Sequence, residues 1–189
     1  LYNAVYGGRF AVSSSDEVAR VLGYPRSPVD ELLAFHMVFG KTVPDISLNA
    51  VANLGYADCR FLKPVFPRDT ISAVSEVIGL KENSNRQTGV VYVRTTGLNQ
   101  AGDTVLSYVR WVMVRKRHPD AEVAGQSVPK LPAAVAPEAL VLPPGVSFER
   151  YDAMLAGSPF LWDDYAPGEK IDHVDGVTVE VSDHMLATR

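Results

Sequence analysis

The hydrophobic pattern of the chain changes once, from a helical to a strand-like period. Residues 32–39 are apolar except for His36, so that nearly every side of a helix over this stretch would be apolar. Such a composition is typical of a helix that is buried on most sides. Ser27 and Pro28 are suited to cap and begin this helix, and Gly40 is suited to end it. The pattern therefore predicts one long buried helix from Ser27 to Gly40.

Strand-like segments follow this helix without another helical pattern between them. They are rich in β-branched and aromatic residues and cover residues 48–61, 70–80, 89–99 and 104–117. The last three are joined by short polar or glycine-bearing connections, which suit antiparallel hairpins. One buried helix followed by an antiparallel meander predicts an α+β fold, with a curled sheet wrapped around the helix.

Shorter elements are predicted on both sides of this region. Residues 1–10 have the pattern of a helix tail, and residues 13–22 predict a second short helix that Gly23 ends. Residues 148–155 predict a further short helix, ended by Gly157. Residues 118–146 carry repeated prolines without a helical or strand period, which predicts a semi-extended linker lying along a surface.

A corner between the first two strands carries the most specific motif. Pro64 and Pro67 exclude a central strand, and Pro67 predicts a tight turn at its second position. The pattern R-F-x-x-P-V-x-P-x-D-T over residues 60–70 resembles the corresponding corner of MaoC-type dehydratases, which act on acyl-CoA thioesters. That family usually has glycine where this chain has Arg68, so Arg68 needs either a negative φ or some strain.

A second resemblance lies near the end of the sequence. The pattern Y-x-x-G-E-x-I at residues 165–171, followed by T-V-x-x-x-D-H, is similar to the first strand and first helix of another MaoC-type domain. Together the two matches resemble double-hotdog hydratases, most of all the mesaconyl-CoA hydratases, also called β-methylmalyl-CoA dehydratases. The resemblance implies a partial double hotdog. Residues 1–117 would form a first repeat without its opening strand and helix start, 118–147 the linker, and 148–189 the opening of a second repeat.

The resemblance also implies an activity. It predicts a hydro-lyase that adds water reversibly to a branched, unsaturated dicarboxylic acyl-CoA such as mesaconyl-CoA, without a metal or cofactor. Two alternatives stay open. One is a hotdog thioesterase, which would need a carboxylate such as Asp30 or Glu31 near the start of the central helix. The other is a non-catalytic half that binds acyl-CoA or forms an interface.

The acid–base pair of the family is absent from the one stretch that resembles its motif. MaoC-type hydratases use an aspartate and a histidine within a pattern like G-D-x-N-P-x-H, and residues 7–13 align with it. Gly8 then occupies the aspartate position and Ser13 the histidine position, and neither can transfer protons at neutral pH. We therefore expect no catalytic residue in this chain and no hydratase activity from these residues alone.

The acyl pocket should be walled by the central helix and the strand after it. Polar and aromatic residues among apolar neighbours are the candidates for this wall. The predicted substrate-binding residues are His36, Phe39, Asn53, Tyr56, Asp58 and Arg60. Arg60 is the nearest cation for the free carboxylate of a dicarboxylic acyl group. The alternative is that Arg60 only pairs with Asp58 or Asp69 at the sheet edge.

Other polar clusters have plainer explanations. His173 and Asp175 could begin a metal site, but a third ligand at a recognisable spacing is missing, so a surface turn is favoured and no metal is predicted. Asp183 and His184 point to different helix faces, which favours Asp183 as a helix-start acid. The basic run at residues 115–117 is either a CoA-phosphate contact or a solvated strand end.

Composition limits the function classes. The 189 residues are 47% hydrophobic and 21% charged, ordinary for a globular protein, and the net charge of −4 does not favour nucleic-acid or membrane binding. The single cysteine, Cys59, excludes an intrachain disulfide and is expected to be a buried thiol. We expect no signal peptide and no membrane span, a cytoplasmic location, and a homo-oligomer formed through hotdog sheets.

Overall fold

The structure is a computed structural model, and it describes residues 2–6, 8, 10–121, 125–174 and 176–187. It contains two compact units, residues 28–146 and residues 1–27 with 147–189. Its main elements, in chain order, are α1 (Tyr2–Tyr6), α2 (Asp16–Val21), α3 (Glu31–Thr42), β1 (Ala50–Phe61), β2 (Ser72–Glu82), β3 (Thr88–Leu98), β4 (Thr104–Arg115) and α4 (Val181–Ala187).

The larger unit is a four-stranded antiparallel sheet with α3 packed on one side. The strand order is β1-β4-β3-β2, and every neighbouring pair is antiparallel. The strands begin and end within two residues of the predicted bounds, and the β2–β3 and β3–β4 connections are the predicted hairpins. The α+β class predicted from the hydrophobic pattern is confirmed.

The start of α3 differs from the prediction. The side chain of Asp30, not of Ser27, caps the helix by accepting a hydrogen bond from the Leu32 N–H at 2.9 Å. The backbone N–H of Val29 donates to the carbonyl of Val65 at 2.6 Å. This bond holds the segment before the helix against the corner, so that helical geometry begins only at Glu31, and α3 continues past Gly40 to Thr42.

Burial of α3 follows a narrower stripe than its composition predicts. Ala34, Val38 and Thr42, spaced four residues apart, are the buried residues of the helix. Leu32 and Met37, on the surface of α3 that faces away from the sheet, are 57% and 47% exposed. Burial on most sides was therefore wrong, because α3 packs against a single layer of sheet.

The core of the larger unit lies between α3 and the sheet. Its buried members are Ala34, Val38, Val65, Ile71, Val105, Leu106 and Tyr108. A Cβ atom at Gly97 would lie 2.6 Å from Cγ2 of Val38, so the absence of a side chain there lets the helix approach β3 closely. We call the side of the sheet that carries Leu106 and Tyr108 the helix side, and the opposite side the outer side.

The corner between β1 and β2 is a tight turn closed by its own side chain. The Asp69 N–H donates to the Phe66 carbonyl at 3.0 Å, and the Asp69 carboxylate accepts from the Phe66 N–H at 2.8 Å. Pro67 occupies the second position, as predicted. Arg68 follows it with φ of +84°, the left-handed region that favours glycine. The strained alternative for Arg68 is therefore the one found.

Part of the proline-rich segment pairs with the edge strand β2. Leu80 and Ser127 exchange both backbone hydrogen bonds at 2.9 Å, and the side-chain oxygen of Gln126 accepts from the Glu82 N–H at 3.0 Å. Pairing at this end of β2 satisfies backbone groups that an edge strand would otherwise expose. The division of the chain into repeats at residues 117 and 147 stays a prediction.

The smaller unit has its own apolar cluster. Val12, Val18, Ala19 and Leu22 are its buried members. The predicted helix at residues 13–22 is confirmed as α2, with Ser15 as its cap. Residues 148–155 form a single 3-10 turn, Phe148–Arg150, and further turns instead of the predicted helix.

The strand that the resemblance implies between the motif at residues 165–171 and α4 is not formed in the described part of this segment. Residues 177–180 have no regular structure, and α4 begins at Val181. A strand satisfies its backbone groups only through a neighbouring strand, and within the described ranges none pairs with this segment. Asp183 lies in the first turn of α4, the helix-start position predicted for it.

Candidate functional site

Four aromatic rings meet on the helix side of the sheet. Phe35 and Phe39 come from α3, one helical turn apart, with their ring centres 5.9 Å from each other. Tyr108 of β4 lies 5.0 Å from Phe35, and Tyr56 of β1 lies 5.8 Å from Phe35 and 6.3 Å from Phe39. We call these four residues the aromatic cluster. Tyr56 is 43% exposed, so one side of the cluster is open to solvent.

Two further predicted residues lie at the rim of the aromatic cluster. His36 is exposed, with its ring edge-on to Phe35 at 5.9 Å. The side-chain amide of Asn53 donates to the Tyr56 hydroxyl at 2.6 Å. The structure therefore brings together four of the six predicted pocket residues: His36, Phe39, Asn53 and Tyr56.

Asp58 and Arg60 lie on the outer side of the sheet. Cys59 and Phe61, which alternate with them, pack against the core on the helix side. The pairing of β1 with β4 shifts register between Ala57 and Arg60, and Asp58 itself has φ of +50°. A bulge of this kind moves the following side chains to the other side of the sheet.

The carboxylate of Asp58 holds two arginines on that outer side. Arg60 donates to it at 2.8 Å and Arg94 of β3 at 3.1 Å. The hydrogen bond from Arg60 lowers the pKa of Asp58, and the bond from Arg94 and the charge of both arginines add to the effect, whereas partial burial opposes it. The ion-pair alternative for Arg60 is thus the arrangement found, with Asp58 and not Asp69 as the partner. Its role as carboxylate binder stays a prediction.

Arg110, in the middle of β4, was not among the predicted site residues. It is fully buried on the helix side, where its Nη2 donates to the Thr42 hydroxyl at 2.9 Å. Its guanidinium carbon lies 4.6 Å from the centre of the Phe39 ring, a cation–π contact. A single charge within the apolar run 108–114 was the signal that could have pointed to it.

Tyr108 presents a second buried polar group on the same side. Its hydroxyl is inaccessible and lacks a hydrogen bond of ordinary geometry in the described part of the chain. Burial raises the pKa of Tyr108, whereas the nearby hydroxyls of Thr95 and Thr42 and the charge of Arg110 lower it. The phenol therefore stays protonated at neutral pH and is available as a hydrogen-bond donor.

A pocket of about 270 Å³ opens between the end of α3 and the strands β2 and β3. Thr42 and Val93, which line it, are the hydrogen-bond partner and the strand partner of Arg110. Lys41, Asp45 and Ser75 add polar groups to its wall. The pocket is thus mixed in polarity, and Arg110 is not itself one of its lining residues.

The two positions aligned with the family's acid–base pair carry no ionisable side chain. The Ser13 hydroxyl donates to the Phe10 carbonyl at 3.1 Å, and its carbonyl accepts from Asn3 at 3.3 Å. A Cβ atom at Gly8 would lie 3.2 Å from the side-chain oxygen of Asn3. Both positions serve local structure in the smaller unit.

The two carboxylates named for the thioesterase alternative, Asp30 and Glu31, lie at the start of α3. Asp30 is engaged as the cap of α3. Burial of the carboxyl group raises the pKa of the adjacent Glu31, and the charge of Asp30 adds to this effect. Burial likewise raises the pKa of the Cys59 thiol, with smaller contributions from Glu31 and Asp58, so Cys59 is a poor nucleophile at neutral pH.

Arg115 and Arg117 of the basic run are exposed, and a CoA-phosphate contact by this run stays a prediction. Lys116 is mostly buried, paired with Glu82 and bonded to the carbonyls of Pro119 and Ala121, so it is not free to meet a phosphate. His173 is exposed, whereas Asp175 lies outside the described residues. Where the structure describes the chain, no three His, Cys, Asp or Glu side chains are grouped as metal ligands would be. None of the helices described is long and apolar enough to span a membrane.

Comparison with known proteins identifies relatives of this chain. Residues 12–159 match the family described as mesaconyl-CoA hydratase. The chain is 68% identical over all 189 residues to the mesaconyl-CoA hydratase of Cereibacter sphaeroides, covering 55% of that protein. It is 57% identical over the same length to the β-methylmalyl-CoA dehydratase of Chloroflexus aurantiacus, covering 54% of it. The chain thus spans about half the length of these relatives.

Solved structures show the same fold. A MaoC domain protein dehydratase from Chloroflexus aurantiacus superposes with a TM-score of 0.86 at 57% identity, over 99% of this chain and 53% of that one. A double-hotdog protein of Mycobacterium tuberculosis superposes with a TM-score of 0.64 at 23% identity, over 81% of this chain and 47% of that one. The predicted hotdog fold, here a partial double hotdog, is confirmed. On its sequence match and its fold, the chain belongs to the mesaconyl-CoA hydratase family.

Proposed function

We propose that the protein containing this chain is a hydro-lyase that adds water reversibly to a branched, unsaturated dicarboxylic acyl-CoA such as mesaconyl-CoA. The single observation that carries the proposal is the 68% identity, over the whole chain, to a mesaconyl-CoA hydratase. The identity to a β-methylmalyl-CoA dehydratase supports the same reaction in the other direction.

Within that reaction, this chain supplies the acyl-binding part. The aromatic cluster offers an apolar wall that is open to solvent at Tyr56 and carries polar groups at His36 and Asn53. Such a mixture of apolar surface and a few polar groups suits a short acyl chain. Phe39 and Tyr56 contact the acyl group, and His36 and Asn53 lie beside it.

The acid and the base come from outside these 189 residues. Hydration needs a group that takes a proton from water as the oxygen bonds to the β-carbon. It also needs a donor for the enolate oxygen of the thioester and an acid that returns a proton to the α-carbon. Gly8 and Ser13, which align with the family's pair, can do neither proton transfer. The reaction consumes one water for each double bond, and the proposal includes no metal or cofactor.

We also propose that the protein forms a homo-oligomer and lies in the cytoplasm. The solvent-facing surface of α3 exposes Met37, and the strand β2 exposes the apolar side chains of Val74 and Val77. Exposed apolar surface of this kind is typical of protein interfaces, and it supports a homo-oligomer formed through hotdog elements. We place the protein in the cytoplasm, in keeping with its single cysteine.

One assay separates this function from the thioesterase alternative. The full-length protein is incubated with mesaconyl-CoA, and the products are separated by chromatography. A hydratase yields β-methylmalyl-CoA with the thioester intact, whereas a thioesterase releases free CoA and mesaconate. We expect the hydrated thioester. Free CoA without hydration would favour the thioesterase, and neither product would favour a binding or interface role.

A further inference from the structure

Arg110 is a buried cation with most of its hydrogen-bonding capacity unused. Among the described residues, the partners of Arg110 are bound through Nη2 alone: the hydroxyl of Thr42 at 2.9 Å and its carbonyl at 3.4 Å. Nε and both N–H groups of Nη1 are buried without a partner among the described residues. Three of the five N–H donors of the guanidinium group are therefore unpaired.

The charge of Arg110 is also uncompensated. The ion pairs in the described ranges involve Arg20, Arg60, Lys63, Arg94 and Lys116, and none of them includes Arg110. The Phe39 ring offers only the weak attraction of a cation–π contact. Buried charges in proteins are normally paired with an opposite charge, because burying them alone is costly.

The neighbours of Arg110 point to the kind of anion that suits this site. The Tyr108 hydroxyl is a further buried group without a hydrogen bond of ordinary geometry in the described chain, and Tyr108 lies two positions before Arg110 in β4, on the same side of the sheet. The rings of Phe35 and Tyr56 flank Tyr108, at 5.0 Å and 6.2 Å. The donors thus lie at the base of an apolar aromatic wall, an arrangement that matches an acyl chain ending in an anion.

We propose that Arg110 and Tyr108 bind the free carboxylate of the dicarboxylic acyl group. This inference rests on the proposed function for the identity of the substrate. It assigns the role predicted for Arg60 to a different residue, one on the same side of the sheet as the aromatic cluster. The planar guanidinium presents paired donors that match the two oxygens of a carboxylate.

The position of Arg110 favours a carboxylate over the phosphates of CoA. Arg110 is fully buried, so a bulky, strongly hydrated phosphate would lose its water to reach it. A carboxylate on a short apolar chain brings one charge and little polar surface.

The first test compares two substrates in the full-length protein. Mesaconyl-CoA carries the free carboxylate and crotonyl-CoA lacks it, so the ratio of their kcat/KM values reports on the carboxylate contact. Arg110→Met should lower this ratio roughly 10- to 100-fold, as expected when a charged hydrogen bond is removed. Tyr108→Phe, which removes only the hydroxyl group, should lower it roughly 3- to 10-fold. Arg115→Met, at an exposed arginine of the same strand, is the matched control and should leave the ratio unchanged.

The second test does not depend on activity. Free mesaconate is added to the full-length protein, and the unfolding temperature is compared with that in sodium chloride at equal ionic strength. Binding of the carboxylate should raise the Tm of the wild-type protein and of Arg115→Met, but not of Arg110→Met. If Arg110→Met does not fold, Tyr108→Phe takes its place in both tests and should show a smaller rise than the wild type.

The two tests separate the inference from the proposed function. Stabilisation by mesaconate that needs Arg110, in a protein that does not hydrate mesaconyl-CoA, would keep the site and reject the hydratase. Hydration of mesaconyl-CoA with a substrate ratio unaffected by Arg110→Met, or by Tyr108→Phe if the first variant is unfolded, would reject the site. Equal losses for both substrates, without stabilisation by mesaconate, would also reject it and would indicate that Arg110 pairs with an acid of the protein itself.

Discussion

The guanidinium of Arg60 donates to the carboxylate of Asp58 at 2.8 Å, on the side of the sheet that faces away from α3. The bulge at Asp58 places Arg60 on this side, away from the aromatic cluster, which lies on the other side. The two arginines of interest therefore have opposite situations: Arg60 is partly exposed and paired, whereas Arg110 is buried and unpaired within the described chain.

Replacing Arg60 should affect the two substrates equally. In Arg60→Ala, we expect kcat/KM for mesaconyl-CoA and for crotonyl-CoA to fall by the same factor, less than about threefold, because the residue lies away from the acyl wall. The free energy of unfolding should fall by about 1 kcal/mol or less, as is usual for a partly exposed ion pair. Steady-state kinetics and denaturant unfolding measure both.

Lys63→Ala is the matched control for this change. Lys63 pairs with Asp103 at 2.6 Å, and its side chain is likewise accessible to solvent. In Lys63→Ala, the falls in kcat/KM and in the free energy of unfolding should resemble those in Arg60→Ala. A loss in Arg60→Ala that is roughly tenfold or more for mesaconyl-CoA and absent for crotonyl-CoA would instead assign the carboxylate to Arg60.

The pairing at Asp58 should contribute stability that depends on pH in a definite direction. Its pKa in the folded protein is lowered, first of all by the hydrogen bond from Arg60. The contribution is therefore fully present above the unfolded value of about 3.9 and is lost as the pH falls through the folded pKa. Asp58→Asn removes the charge and still tolerates φ of +50°.

We expect the wild-type protein to be more stable than Asp58→Asn at pH 7, and the difference to shrink as the pH is lowered below about 4. Urea unfolding at a series of pH values measures this difference. A difference that stays constant down to the acid limit of folding would show that the charge of Asp58 does not stabilise the fold.

The strain at Arg68 should be removable. Arg68→Gly is expected to raise the free energy of unfolding by about 1 kcal/mol, because glycine adopts φ of +84° without the clash of a Cβ atom. Arg68→Ala keeps the Cβ atom and serves as the control, with no gain expected. Thermal or denaturant unfolding of the three proteins decides, and an equal gain in both variants would trace the effect to the arginine side chain instead.

The cap of α3 gives a paired test of the helix start. Asp30→Ala removes the hydrogen bond to the Leu32 N–H and should cost about 1 kcal/mol of stability. Ser27→Ala should cost clearly less, because the Ser27 hydroxyl is buried without a hydrogen-bond partner in the described chain. Both are read from denaturant unfolding, and the opposite order of losses would restore Ser27 as the cap.

Much of the fold could be predicted because local signals and tertiary structure agree. The apolar stretch of α3, the hairpin connections and the proline corner each fix an element by short-range chemistry. The site was harder to predict. A bulge at Asp58 reverses which side chains of β1 face the helix, and this reversal follows from pairing with β4, which the sequence of β1 alone does not reveal.

Arg110 escaped prediction for a related reason. Its neighbours in β4 are apolar on both sides, so the strand pattern was clear while the one charge within it was passed over. The burial of that charge comes from β1, β3 and α3 together, and the register of the sheet brings Tyr56 and Val93 beside it. The strand that the resemblance implied before α4 likewise depends on a long-range requirement, a pairing partner.

The central claim is that this chain provides the acyl-binding part of a mesaconyl-CoA hydratase and no acid or base of its own. The most direct measurement is the rate of mesaconyl-CoA hydration by the full-length protein, by its Ser13→Ala variant and by the 189-residue chain alone. We predict turnover by the full-length protein, a kcat within about twofold of it for Ser13→Ala because that hydroxyl takes no part in proton transfer, and no hydration by the chain alone. Hydration of mesaconyl-CoA by the 189-residue chain would contradict the account.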